Sequence, residues 1–283
     1  MNDDLMELEQ DLIEKPMQQD ISSEDDDSPE TVPVPRSLVP HLSKSAILLD
    51  IDGTLLDLAP TPREVWVPPG LAKTLERLYQ RTGGALALVS GRSLNDIDLI
   101  FAPEQFPAVG GHGAEMRVSI DSESVATHAP PLDKELKRRL AAIARLSPGI
   151  LLEDKGYSLA LHYRLAPHAE KAIYAAVSLI RADLPNAPIE VLPGKCVCEI
   201  KHSGFTKATG VLELMNHEPF KGRHPLFIGD DVTDESVFAI MPDLRGLAFS
   251  VGRRAKGVAG HFDEPSDVRE FLAHLLDDER TPT

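Results

Sequence analysis

From residue 46 onward, short uninterrupted apolar runs alternate with stripes of helical period. Ala46-Ile47-Leu48-Leu49, Ala85 to Val89 and Pro225-Leu226-Phe227-Ile228 are short for helices and lack polar alternation, so each predicts a strand buried on both faces. Leu71, Leu75, Leu78 and Tyr79 share one helical face behind the helix-opening Pro68-Pro69-Gly70. The same period recurs at Ala208, Val211, Leu212 and Met215, and again at Val268, Phe271, Leu272 and Leu275. Buried strands alternating with amphipathic helices predict an α/β fold, a parallel sheet covered on both faces. In such sheets ligands bind beyond the carboxyl ends of the strands. Here three strands run into polar residues there: Asp50-Ile51-Asp52-Gly53-Thr54, Ser90-Gly91-Arg92 and Gly229-Asp230-Asp231.

The middle of the chain, residues 115–202, has another pattern. Glu115 to Ile120 and Glu123 to Thr127 predict a hairpin, and Leu136, Leu140 and Ile143 mark a helix. Leu151 to Glu153 and Ser158 to Tyr163 predict two strands, followed by a helix with Ala169, Ile173, Val177 and Ile180 on one face. Glu190 to Leu192 and Val197 to Ile200 predict a further pair. This order predicts an α+β domain (115–202) inserted into a core of 45–114 and 203–283, with a cleft between two lobes.

Charge divides the chain again. The net charge of −16 over 283 residues is concentrated in residues 1–31, which hold twelve acidic side chains against Lys15 and so carry −11. Residues 1–44, acidic and interrupted by Pro29, Pro33 and Pro35, are expected to form a disordered extension, with docking to a partner the alternative. No basic stretch supplies a nucleic-acid footprint, and no apolar run is long enough for a membrane span. Two cysteines, Cys196 and Cys198, make neither a disulfide framework nor a zinc site, and a cytoplasmic setting is expected. They are expected to pack on the strand face opposite Val197 and Glu199, and Trp66 to be a packing residue.

Alternate positions place the Asp50 and Asp52 carboxylates near one face of the first strand end, while Gly53 permits a sharp turn. With Asp230 and Asp231 at another strand end and Asp234 a turn later, these hard oxygens can hold Mg²⁺. A single such turn could be a solvated one; three polar strand ends together point to a site.

These residues resemble the motifs of the haloacid dehalogenase superfamily of phosphohydrolases: Asp50 to Thr54 the first, Ser90 the second, Lys207 the third, and Gly229 to Asp234 the fourth. Within it the chain resembles the trehalose-6-phosphate phosphatases, from about Ala46 to Leu276. That likeness is carried by Gly111-His112-Gly113-Ala114-Glu115, Glu153-Asp154-Lys155-Gly156, Leu161-His162-Tyr163-Arg164, Gly194 to Glu199 and Gly229 to Glu235. Ala208 departs from it, standing where the family usually has glycine after the lysine.

The resemblance implies a Rossmann-like core with an inserted cap and Mg²⁺-dependent hydrolysis through an aspartyl phosphate. It makes Asp50 the nucleophile and Asp52 the acid and base, with Ser90 and Lys207 on the phosphoryl oxygens. Asp50, Asp230 and the Asp52 backbone would bind metal, with Asp231 and Asp234 supporting them from behind. The cap candidates for reading the disaccharide are Glu153, Lys155, His162, Arg164, Lys195 and Glu199. Glu153, Lys155, Lys195 and Glu199 are the stronger of these. Lys195 and Glu199 are expected on one face of one strand. Gly91, Arg92, His112 and Glu115 complete the expected substrate-binding set, His112 being equally a satisfied turn residue. The implied substrate is a disaccharide phosphate, and association with the synthase that makes it is a further expectation. Two alternatives stay open here: a sibling phosphatase acting on sucrose 6-phosphate or mannosyl-3-phosphoglycerate, and a sugar-phosphate-binding module without turnover.

Overall fold

The structure is a computed structural model that describes residues 41–59, 64–120, 126–127, 129–194 and 196–277. Of the extension expected over residues 1–44, residues 1–40 lie outside the described residues, whereas 41–44 are ordered: Leu42–Lys44 form a single 3-10 turn with Leu42 buried in the core. Among the described residues the strands form two sheets. The larger has eight strands and the smaller four.

The strands predicted from continuous apolar runs form the middle of the larger sheet: β1 (Ser45–Leu49), β2 (Leu86–Val89) and β10 (His224–Gly229). They pair in parallel with β3 (Ala108–Gly110), β11 (Leu247–Val251) and β12 (Gly260–Phe262). Period-two alternation splits their side chains between two layers. Ile47, Leu49, Leu86, Leu88, Leu226 and Ile228 meet the apolar faces of α1 (Leu71–Arg81), α2 (Leu94–Phe101) and α7 (Pro265–Leu275). Ala46, Leu48, Ala87, Val89 and Phe227 meet α5 (Lys207–Leu214) and α6 (Glu235–Ile240) on the other side. One residue of the predicted α5 stripe differs: Leu212 is exposed and Leu214 is buried instead. Trp66, expected to pack, is 65% exposed.

The smaller sheet is antiparallel and consists of β6 (Leu151–Asp154), β7 (Ser158–His162), β9 (Val197–His202) and β8 (Ile189–Gly194). Leu159, Leu161, Cys198 and Ile200 form one face and pack on α3 (Lys134–Ile143) and α4 (Glu170–Asp183). Cys198 is buried there and Cys196 packs against the same cluster. By alternation and register, Glu153, Ala160, His162, Glu199 and Lys201 share the opposite face.

The sheets do not divide at residue 115. β4 (Glu115–Arg117) pairs antiparallel with β3 and β5 (Ala126–Thr127) with β4, so the hairpin expected in the insert extends the larger sheet. Residues 121–125 lie outside the described residues. Two contacts hold β4 in place: Met116 is buried in the core layer, and Arg117 forks onto Asp98 at 2.8 and 2.5 Å while donating to the Phe106 carbonyl. No helix among the described residues is long and apolar enough to cross a membrane.

Candidate active site

Parallel register brings the polar strand ends to one rim. Leu49 pairs with Ile228 on one side and Leu88 on the other, so Asp50, Asp230 and Ser90 follow within one or two residues of the same level. Gly53 lets them converge. Its φ of +80° suits glycine, and a Cβ there would overlap the Asp230 carboxylate.

Asp50 is 3% exposed. Its Oδ1 accepts from Lys207 Nζ at 2.7 Å and its Oδ2 from Thr54 Oγ1 at 3.2 Å. Lys207, 4% exposed, also donates to Asp234 Oδ1 at 2.7 Å. Asp234 accepts from the amides of Asp230 and Asp231 through its other oxygen, at 3.1 and 3.0 Å. The lysine reaches this position because Thr206 caps α5 reciprocally with Thr209, starting the helix at Lys207. Ala208 sits in that first turn as a normal helical residue.

Burial pushes the Asp50 carboxyl well above its ordinary range, with the Asp234 carboxylate adding to the shift and Lys207 opposing it. For Lys207, burial disfavours the charge, but Asp50 and Asp234 more than offset this and raise its pKa. Burial, then Asp234, pushes Asp230 up to about 6.

The donor set fits a hard cation. Oxygens of Asp50, Asp230 and Asp234 lie within 4.8 Å of one another, and Asp230 Oδ1 is buried without a hydrogen-bond partner. Both Asp234 oxygens already accept from protein donors, which suits it to supporting Asp230 and Lys207. Asp231 is exposed and accepts from the Val232 amide at 2.6 Å, capping the turn that carries Asp234. A cation must displace protons that Asp50 and Asp230 hold above the ordinary carboxylate range, so divalent-cation affinity should tighten as pH rises from acid towards neutral. Calorimetric titration at several pH values checks this; affinity independent of pH across that range would contradict it.

Around this cluster lie the other predicted residues. Asp52 is bound by Arg92 through two bonds of 2.6 Å. Ser90 is buried, and its Oγ accepts from the Arg92 amide at 3.2 Å. Gly91 lies under the His112 ring, which a Cβ there would meet. His112 has a left-handed φ of 54°. Its pKa is lowered to about 3 by burial, then by Lys207, Lys201 and Lys155, so the imidazole is neutral near pH 7. Its 3.8 Å approach to Glu199 is therefore not an ion pair. Glu115 accepts from the Leu94 amide at 2.7 Å, tying β4 to the start of α2.

On the small sheet, Glu199 accepts from Ser158 Oγ at 2.8 Å and lies 3.7 Å from Lys155. Glu153 pairs with His162 at 2.9 Å. That pair lies further from the larger sheet along β7, His162 being about 13 Å beyond Ser158 at strand rise. Arg164 is exposed in the turn beyond it. The single strand expected to hold both Lys195 and Glu199 does not form. β8 ends at Gly194 and β9 begins at Val197, after Cys196 with its φ of 60°; Lys195 is outside the described residues.

Two contributors were not singled out from the sequence. Lys201 pairs with Glu190 at 2.5 Å and also donates to the Phe205 carbonyl, anchoring β9 to the segment leading to Lys207. Its spacing of two from Glu199, on the same strand face, was the available signal. Tyr157 packs with Ala114, Ala129 and Phe205, and its hydroxyl comes against Gly111, where a Cβ would block it. An isolated tyrosine before a strand carries no such signal.

The profile of the trehalose-phosphatase family matches residues 48–267. The chain belongs to that family. It is 38% identical over 240 residues to the trehalose-6-phosphate phosphatase of Escherichia coli K12, covering 84% of this chain and 89% of that one. It is 42% identical over 243 residues to a Sinorhizobium fredii protein named "Probable trehalose-phosphate phosphatase", covering 84% and 90%. The C-terminal domain of Candida albicans trehalose-6-phosphate phosphatase matches the fold with a TM-score of 0.69 at 21% identity, over 83% of this chain and 92% of that one. Membership in the trehalose-phosphatases implies a phosphatase, a sugar-phosphate substrate and a metal-dependent reaction.

Proposed function

We propose that this chain hydrolyses trehalose 6-phosphate to trehalose and inorganic phosphate in the cytoplasm, with Mg²⁺ at Asp50, Asp230 and the Asp52 backbone. Residues 129–202 act as the cap that reads the sugar. The observation that carries this reading is the buried Asp50 carboxylate gripped by Lys207 beside the unsatisfied Asp230. Mg²⁺ when bound would neutralise the clustered carboxylates and polarise the phosphoryl group.

Asp50 attacks phosphorus in line, forming an aspartyl phosphate as the bond to the sugar oxygen breaks. Asp52 delivers the proton that the departing oxygen needs. It then takes a proton from the water that attacks the same phosphorus, releasing phosphate and regenerating Asp50. Lys207 and Ser90 hold the non-bridging oxygens, with the Lys207 ammonium a fixed charge that needs no reorganisation. On the cap, Glu199, Lys155 and Glu153 read sugar hydroxyls, whose loss in a wrong substrate would leave buried polar groups unpaired.

Phosphate release from trehalose 6-phosphate, with and without Mg²⁺, tests the assignment against glucose 6-phosphate and sucrose 6-phosphate. Fast metal-dependent release from the first alone is expected; comparable turnover of the others would remove the trehalose assignment. Glu199→Ala should lower kcat/KM for trehalose 6-phosphate by about tenfold or more. The same variant should change p-nitrophenyl phosphate turnover by less than about twofold, because that substrate has no sugar to read.

A further inference from the structure

Asp52 and Arg92 come from different strand ends, 40 residues apart in sequence, yet one edge of the guanidinium meets both oxygens of the carboxylate. Nε donates to Oδ2 and Nη2 to Oδ1, each at 2.6 Å. The Asp52 side chain is 33% exposed and that of Arg92 13%. A partly exposed aspartate tied by one bond keeps rotational freedom, whereas two parallel bonds fix the plane of the carboxylate. Each oxygen keeps a further lone pair, so the fork leaves proton-accepting capacity at both.

Arg92 is itself held from behind. Its carbonyl accepts from the Gly111 amide at 2.7 Å, and its own amide donates to Ser90 Oγ at 3.2 Å. The preceding Gly91 lies under the His112 ring. The loop making these contacts is the one approached by Tyr157, just before β7, at Gly111 and by Glu199 of β9 at His112.

We propose that Arg92 is a positioning residue: it fixes the Asp52 carboxylate in the orientation that proton transfer requires and takes no part in binding sugar. The proposal rests on the reading of Asp52 as acid and base. The pair is partly buried and forked, so besides some stability its two bonds supply a fixed orientation of the carboxylate. Misplacing a proton-transfer group by a fraction of an ångström is enough to cost rate.

Arg92→Ala should lower kcat about 10- to 100-fold on trehalose 6-phosphate and by less on p-nitrophenyl phosphate, where only the base step calls on Asp52, with KM within about twofold and the melting temperature lowered by no more than a few degrees. Arg92→Lys should recover only part of the loss, because an ammonium cannot grip both oxygens. In an Asp52→Asn background, Arg92→Ala should cost nothing more when turnover is followed with p-nitrophenyl phosphate, whose leaving group needs little acid assistance. A raised KM for the sugar phosphate alone, with kcat intact, would make Arg92 a sugar contact and overturn the proposal. An undiminished loss in the Asp52→Asn background would overturn it as well, because Arg92 would then act directly on the phosphoryl group. If the wild type cleaves p-nitrophenyl phosphate but not trehalose 6-phosphate, the substrate reading fails and the cycle on the aryl substrate still decides Arg92. If Asp52→Asn turns over both substrates like the wild type, the acid-base reading fails and Arg92's assignment falls with it.

Discussion

Asp50→Asn should abolish turnover, by on the order of 10⁵-fold, while the protein stays folded. The amide is nearly isosteric: its oxygen can still accept from Lys207 while its NH2 turns to donate to the Thr54 hydroxyl, so the packing of this 3% exposed side chain survives. It lacks the nucleophilic oxygen. Stability should respond in a defined direction. With the Asp50 pKa raised, the folded state holds the proton more tightly than the unfolded chain, whose value is near 3.8. The contribution of this group is therefore full below that pH and is lost as pH rises through the folded-state pKa. Asparagine does not titrate, so the metal-free variant should lose less stability than wild type between acid and neutral pH. Phosphate release and thermal melts from about pH 4 to 8 test both statements. A folded variant with wild-type turnover would rule out the covalent route through Asp50.

Lys207→Met should have the largest effect on the fold. Lys207 donates to Asp50 and Asp234 at 2.7 Å each, and all three side chains are buried. Removing one partner from buried charges costs about 3–5 kcal/mol, because the remaining charges are uncompensated. For a domain of this size that corresponds to a melting temperature lower by about 10 °C. Protonation of the carboxylates relieves the repulsion, so the deficit against wild type should shrink as pH falls, and added Mg²⁺ should also narrow it. Turnover should fall by about 10³-fold as the fixed charge beside the phosphoryl oxygens disappears. Lys207→Arg keeps the charge and should recover most of the stability but little of the rate, since a planar fork cannot occupy the ammonium's position. A melting temperature and kcat near wild type in Lys207→Met would show that Asp50 and Asp234 need no cation from the chain.

The convergence of Asp50, Ser90 and Asp230 is legible in the sequence because parallel strands convert motif order into spatial order. A strand buried on both faces is a continuous apolar run, and its first polar residue marks the rim where ligands bind. Asp50, Ser90 and Asp230 each stand at or next to such a position, whereas the Thr206 cap that starts the helix at Lys207 is seen only in the structure. The small sheet was harder to read because its pairing is antiparallel and its turns set the faces. Spacing alone puts Lys195 on the strand of Glu199, but β8 ends at Gly194 and β9 begins at Val197. The hairpin beginning at Glu115 has the alternation of any hairpin, and only its partner, β3, decides which sheet it joins.

By itself, then, the sequence determined the α/β class, the three polar strand ends and the residue types needed for phosphoryl transfer. Local periodicity and burial pattern encode these, and both act over a few residues. Tertiary structure alone decided that Arg92 grips Asp52, that His112 is a neutral ring over Gly91, and that Tyr157 reaches Gly111. Such contacts join segments tens of residues apart. Their geometry depends on strand register, on the converging turns at Gly53 and Gly111, and on burial in the completed fold, none of which a local pattern encodes.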